Sequence, residues 1–242
     1  MQKNIIDVSV FQGGIDYDKV AQQVDGVIIR CGITFWGSFV PSADSKWEKN
    51  YAGFKAAGVP IGAYYYGVAK TVEQAEQEAE KCIEILKGKQ LELPVYYDVE
   101  EVNTQGSLSK KDLTNVVIAF CNKMEKAGYY VGVYASQDWF LNKLDYATLF
   151  KKYTIWIAKW SSAKPSLNCD MWQYSNVGKI DGITGDVDLN ECYKDFETII
   201  KNAYLNGFNT QVNDKVEIDL QDFLQIIKET LEERGITNII VK

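Results

Sequence analysis

Val95-Tyr96-Tyr97-Asp98-Val99-Glu100 is followed by Ser109–Ala127 and then by Tyr130-Val131-Gly132-Val133-Tyr134-Ala135. The flanking runs are short and rich in Val and Tyr, the composition of strands. The segment between them opens on Ser109, an N-cap residue, has Asp112 in its first turn and stops at Gly128. Those are the start and stop signals of a helix. Strand, helix, strand at this spacing predicts a parallel βαβ unit.

The same alternation extends in both directions. Strands are predicted at 4–8, 26–31, 60–66, 94–99, 130–135, 154–160, 170–174 and 185–189, with helices at 44–57, 71–86 and 109–127. Thr71 caps the second helix with Gln74 three residues on, and Gly58 ends the first. The later connections are too short for full helices. Residues 1–206 are also short for a full (β/α)8 barrel, which takes about 250 residues. The fold class is therefore α/β: an irregular barrel whose last strands are nearly bare.

After Tyr204 the texture changes. Residues 207–214 have linker composition. Residues 215–242 read as a βαβ-like fragment in which Leu220, Phe223, Leu224, Ile227 and Leu231 recur at helical spacing. This tail is expected to be an attachment or oligomerisation element, with self-association through its apolar stripe as one use.

Composition narrows the chemistry. The 242 residues include no histidine, which removes Ser-His-Asp and Cys-His nucleophiles and every His-ligated metal site. Acid–base work falls to Asp, Glu, Tyr, Lys or Cys. There are 33 Asp and Glu against 26 Lys and Arg, a net charge of −7, which opposes a general nucleic-acid partner. The 15 Tyr and 6 Trp suit a carbohydrate-active protein. Cys31, Cys82, Cys121, Cys169 and Cys192 are too widely spaced for a CxxC site and read as inert buried thiols. No cofactor and no metal are expected. No run approaches the ~18 apolar residues of a membrane span, so no membrane insertion is expected. The first residues lack the apolar core of a signal peptide.

Asp98 and Glu100 stand two residues apart at the end of a predicted strand, so they project to one side. Barrel enzymes carry their catalytic groups at that end. Two carboxylates so close do not readily both ionise, which favours one held protonated as a general acid. Glu100, longer and nearer the mouth, is the better acid, and Asp98 is placed to assist. Asp7 ends the first strand and Asp188 the last. A closed barrel makes those strands neighbours, so all four carboxylates are expected at one mouth. Read without that context, Asp98 and Glu100 are equally an acidic strand end, Asp7 an N-cap and Asp188 a turn residue. Arg30, Tyr64, Tyr134, Trp160 and Gln173 are candidate substrate contacts, with Trp36 and Trp139 as weaker candidates in loops. Late-strand aromatics stack on sugar faces, and amide and guanidinium groups bind hydroxyls.

The ordered set Asp7-Val8-Ser9 with Gln12-Gly13, Gly62-Ala63-Tyr64, Asp98-Val99-Glu100, Trp156-Ile157-Ala158-Lys159-Trp160, Trp172-Gln173-Tyr174 and Val187-Asp188-Leu189-Asn190 resembles the family 25 glycoside hydrolases, the Chalaropsis-type lysozymes. The likeness covers about residues 4–204. It implies a flattened (β/α)5β3 barrel that cleaves the β-1,4 bond from N-acetylmuramic acid to N-acetylglucosamine in bacterial peptidoglycan. It implies Glu100 as general acid, surrounded by Asp98, Asp7 and Asp188. Arg30 and Tyr65 depart from the Lys and His the family often carries there. The resemblance leaves two routes open: attack by the substrate's 2-acetamido group, or by a water activated by Asp188 or Asp7. It implies action on the cell wall, either as a phage endolysin released through host lysis or as a mature secreted fragment. Two rivals remain. One is a non-catalytic glycan-binding module on a lysozyme scaffold, which the presence of all four carboxylates opposes. The other is a chitinase-like hydrolase, whose longer acidic strand motif is missing.

Overall fold

The computed structural model describes residues 2–35 and 37–208. Trp36 and the tail at 215–242 lie outside the described residues. Nine strands form one sheet: β1 (Lys3–Val8), β2 (Gly26–Phe35), β3 (Val40–Ala43), β4 (Ile61–Tyr66), β5 (Val95–Asp98), β6 (Val131–Ser136), β7 (Thr154–Ala158), β8 (Met171–Gly178) and β9 (Val187–Cys192). Strands β1, β2, β4, β5, β6, β7 and β8 pair in parallel, each with the next. β9 runs antiparallel to both β8 and β1 and so closes an eight-stranded barrel.

β3 is the ninth strand, and the sequence reading omitted it. β2 runs past its predicted end at Cys31 and folds back through a turn in which Phe39 has a φ of 46°. Pro41 argues against a strand, but β3 is an edge strand, where a missing N–H costs no ladder bond. The predicted bare end of the barrel is present: no helix intervenes between β7 and β8 or between β8 and β9.

Helices α2 (Trp47–Ala56), α3 (Val72–Leu86) and α4 (Lys110–Lys126) answer the predicted ones. Thr71 and Ser109 accept from the backbone N–H of Gln74 and Asp112 as N-caps. The first predicted helix begins later than Asp44, because that carboxylate accepts from Arg30 Nε and from the N–H groups of Val10 and Lys46. Four short helices lacked enough length to show a period: α1 (Tyr17–Ala21), α5 (Gln137–Asn142), α6 (Tyr146–Phe150) and α7 (Phe196–Asn202). Trp139, expected in a loop, is in α5 and packs on the outer core.

Alternation sorts each strand between two cores. Outward residues such as Ile6, Val27, Ala63, Val95 and Val133 pack against the helices. Inward residues Ile5, Ile28, Tyr96, Tyr134, Trp156 and Met171 fill the barrel. Trp156 is the central pillar, its ring 4.5 Å from that of Tyr134 and 5.0 Å from that of Tyr96, both edge-on. Gly132 makes room for the Tyr96 ring: a Cβ there would clash with that ring and with the Thr154 methyl. Phe196 and Ile200 of α7, with Leu205 and Phe208, close the end opposite the mouth.

Glu78 of α3 is fully buried against the outside of the barrel. It accepts from Val68 N–H and from the Tyr97 hydroxyl. Burial raises its carboxyl to about 7. The folded state thus holds a proton there that the unfolded chain has released above about pH 4.5, so this group's penalty grows as pH rises from about 4.5 to 7. Glu78→Gln keeps the acceptor for Val68 and cannot ionise. Denaturant unfolding at pH 5 and pH 8 should therefore show the variant gaining on the parent at pH 8, by up to about 3 kcal/mol. An equal difference at both pH values would contradict the assignment.

Candidate active site

Asp7, Asp98 and Asp188 reach one mouth from β1, β5 and β9, and Glu100 stands just beyond β5. That strand was expected to run to Val99. Its regular part ends at Asp98, though Val99 N–H still donates to Tyr134 C=O at 3.0 Å. Asp7 lies directly opposite Asp188 across the β1–β9 ladder. Asp98 pairs in register with Tyr66 of β4 and Tyr134 of β6.

Each carboxyl is shifted upward. Asp7 is buried, and loss of water raises it well above the usual range, helped by the Asp188 charge and opposed by hydrogen bonds from Asn190 and Gln173. Asp98 is raised in the same way by burial, then by Glu100 and Asp7, with Arg30 opposing. Glu100 exposes part of its side chain at the mouth. Its carboxyl is still pushed up, first by desolvation, then by Asp188 and Glu101. Asp188 is raised by desolvation, and a hydrogen bond with Asp7 opposes that. Four acids that repel one another in a poorly hydrated mouth retain protons that isolated carboxylates would lose, which is what a general acid needs.

The predicted polar and aromatic residues gather around these acids. Tyr64 and Tyr134 are both raised by burial and by the surrounding carboxylates. The Tyr134 hydroxyl donates to Gln173 Oε1 at 2.9 Å, and Trp160 Nε1 donates to the same oxygen at 3.0 Å. Trp160 is 60% exposed, so its ring is a platform at the mouth held from beneath by a buried amide. Arg30 is buried, with its Nε given to Asp44 Oδ2 at 2.7 Å and its guanidinium 5.2 Å from the centre of the Phe11 ring. The Asp98 Oδ1 atom is buried with no hydrogen-bond partner in the protein.

Two residues of this neighbourhood, Glu101 and Asn190, were not singled out as site residues from sequence. Glu101 accepts from the Tyr66 hydroxyl at 2.9 Å and from two Asn103 nitrogens, fixing the turn that carries Glu100. Asn190 donates to Asp7 Oδ2 at 2.9 Å. Strand parity could have found Asn190, which is two residues from Asp188, just as it puts Tyr66 on the face of Tyr64. Glu101 carries no such signal. Among the described residues no group of three or more Cys, Asp or Glu has the arrangement of a metal site. No described helix is long and apolar enough to cross a membrane.

A family model described as Glycosyl hydrolases family 25 matches residues 6–183. The chain is 28% identical over 239 residues to an autolytic lysozyme of Clostridium acetobutylicum, covering 96% of this chain and 68% of that one. Among solved structures, the modular autolysin LytC from Streptococcus pneumoniae aligns at 30% identity with a TM-score of 0.69, over 79% of this chain. This chain spans about half of LytC, 47% of its length. A bacterial lysozyme from Streptomyces coelicolor aligns with a TM-score of 0.70 at 22% identity, over 85% of this chain and 97% of that one, and shares the fold.

Proposed function

Because this chain belongs to family 25 of the glycosyl hydrolases, a family of peptidoglycan hydrolases, we propose that it is a muramidase in which Glu100 is the general acid. Its substrate is the bacterial wall glycan, and the bond cut is β-1,4 from N-acetylmuramic acid to N-acetylglucosamine. The observation that carries the reading is the meeting of Glu100, Asp98, Asp7 and Asp188 at one mouth, all with raised carboxyls.

In this reading Glu100 gives its proton to the glycosidic oxygen as the bond to the leaving sugar breaks. The 2-acetamido oxygen of the substrate attacks the anomeric carbon, and water later opens the resulting ring. Asp98, next to Glu100 and with an Oδ1 that has no partner in the protein, assists by orienting the acetamido group. Asp7 and Asp188 stabilise the positive charge that develops on the sugar. Trp160 and Tyr64 offer ring faces to the glycan, and Arg30 and Tyr134 offer polar groups, while Gln173, buried with its amide engaged by Trp160, Tyr134 and Asp7, supports the site from beneath. The tail at 215–242 serves attachment to the wall or self-association and takes no part in the chemistry.

Mass spectrometry of digested peptidoglycan tests the bond. New reducing ends on N-acetylmuramic acid are expected, and reducing ends on N-acetylglucosamine would overturn the assignment. A chain ending at Phe208 should give the same products from soluble muropeptides and weaken on intact walls. Loss of turnover on the soluble substrate would make the tail integral to catalysis.

A further inference from the structure

Two tryptophans act on Asp7 through two amides. An indole N–H can only donate, so the amide atom facing it is the oxygen. Trp160 Nε1 lies 3.0 Å from Gln173, and Trp156 Nε1 lies 2.8 Å from Asn190. Each indole therefore fixes which way its amide points. The Tyr134 hydroxyl, which either donates or accepts, could not do this for Gln173 alone. With their oxygens turned to the indoles, both amides turn an N–H to the same atom, Asp7 Oδ2, at 3.0 Å from Gln173 and 2.9 Å from Asn190. Gln173, Asn190 and Asp7 are 3%, 1% and 4% exposed, so water does not compete with these bonds.

Two donors fill the lone pairs of Oδ2. A proton on Asp7 then has only Oδ1, and Asp188 stands opposite on β9 to receive it in a hydrogen bond. We propose that Gln173 and Asn190 are positioning residues: each is oriented by an indole N–H, and together they confine the proton that the buried Asp7 shares with Asp188 to Asp7 Oδ1. The pair then presents a single negative charge, carried on the Asp188 side. This deepens the muramidase reading and rests on it for its use, since the placed charge faces Glu100. The other groups around the pair are Asp98, Glu100, Arg30, Tyr64 and Tyr134.

A carboxyl-carbon NMR titration of the full chain with labelled Asp tests the proposal without substrate. The parent should show Asp7 and Asp188 titrating in two linked steps. Gln173→Leu removes one donor from Oδ2, so ionisation of the pair should move up by about one pH unit. The low-pH limb of wall lysis should move with it, whereas a role in packing alone would lower activity equally at every pH. Trp160→Phe keeps an exposed ring, frees the amide to turn, and should give a smaller shift in the same direction. It also carries the test if Gln173→Leu fails to fold. Titration of the pair within about 0.3 of a unit of the parent in both folded variants would overturn the proposal. A parent that cut a different bond would leave the titration result standing, and a failed titration would leave the bond assignment untouched.

Discussion

Glu100→Gln should fold like the parent and lose wall lysis by at least about 10²–10⁴-fold, the usual weight of a general acid. The amide matches the carboxyl in size but cannot pass a proton to the glycosidic oxygen. Glu100 makes no hydrogen bond that the fold depends on and lies partly in solvent beyond the end of β5. Its neighbours are Asp188 and Glu101, whose repulsion the amide relieves, so stability should hold or rise slightly. Turbidity clearing of purified walls gives the rate, and circular dichroism with thermal unfolding gives the fold. Lysis within a few-fold of the parent by a folded Glu100→Gln protein would remove Glu100 from the acid role. The sign of the pH effect follows from the same crowding. Because Glu100 is raised, the parent should stay active at pH values where an ordinary glutamic acid has lost its proton.

The second large effect falls on stability, far from the mouth. Asn206 is fully buried with a left-handed φ of 54°. Its Oδ1 accepts from Tyr130 N–H at 2.7 Å, and its Nδ2 donates to the carbonyls of Leu93 at 2.9 Å and Leu91 at 3.2 Å. Its backbone adds a bond to Gly128 C=O and accepts one from Leu91 N–H. Asn206→Ala orphans three buried backbone groups. It also puts a Cβ-bearing residue without Asn's local compensation in the left-handed region. At about 1–3 kcal/mol for each orphan, less whatever the site relaxes, the cost should be about 3–5 kcal/mol. For a domain of this size that lowers Tm by roughly 8–15 °C. Asn206→Gly separates the two parts, since it removes the strain and keeps the orphans. A thermal scan in which Asn206→Ala melts within about 2 °C of the parent would show that these bonds carry little.

Asn206 also shows where sequence reading stops. An Asn-Gly pair at 206–207 has the look of a linker, which is why the sequence suggests a domain boundary there. Asn and Gly suit turns because they tolerate left-handed backbone, and the same tolerance lets Asn206 turn into the base of the barrel. Burial distinguishes the two uses, and burial of a polar side chain has no local signature. The eight barrel strands were legible because they are short runs rich in Val, Ile, Tyr and Trp between turn residues, and the helices α2, α3 and α4 because they are long and capped. The short helices offered too few residues for a period, and β3 was hidden by Pro41. At the site, the acids, Tyr64, Tyr134 and Trp160 could be named because they end strands or sit in ordered motifs. The bonds from Trp156 to Asn190 and from Gln173 to Asp7 join residues that are 34 and 166 positions apart. No spacing rule reaches that far.

The way β9 closes the barrel has a consequence for the chain as it is made. β1 finds its β2 partner within about thirty residues, but its other edge stays open until residues 187–192 exist. At about 5–20 residues per second, a ribosome needs roughly ten to forty seconds to reach that point. Throughout that interval Asp7 has neither Asp188 nor Asn190, and the seam must then be sealed by a contact of very long sequence separation, the slowest kind to form. On the proposed mechanism a nascent chain is therefore inert until its last barrel strand has left the exit tunnel. Any early stop before β9 yields an open sheet edge and no mouth, and competence arrives in one late step.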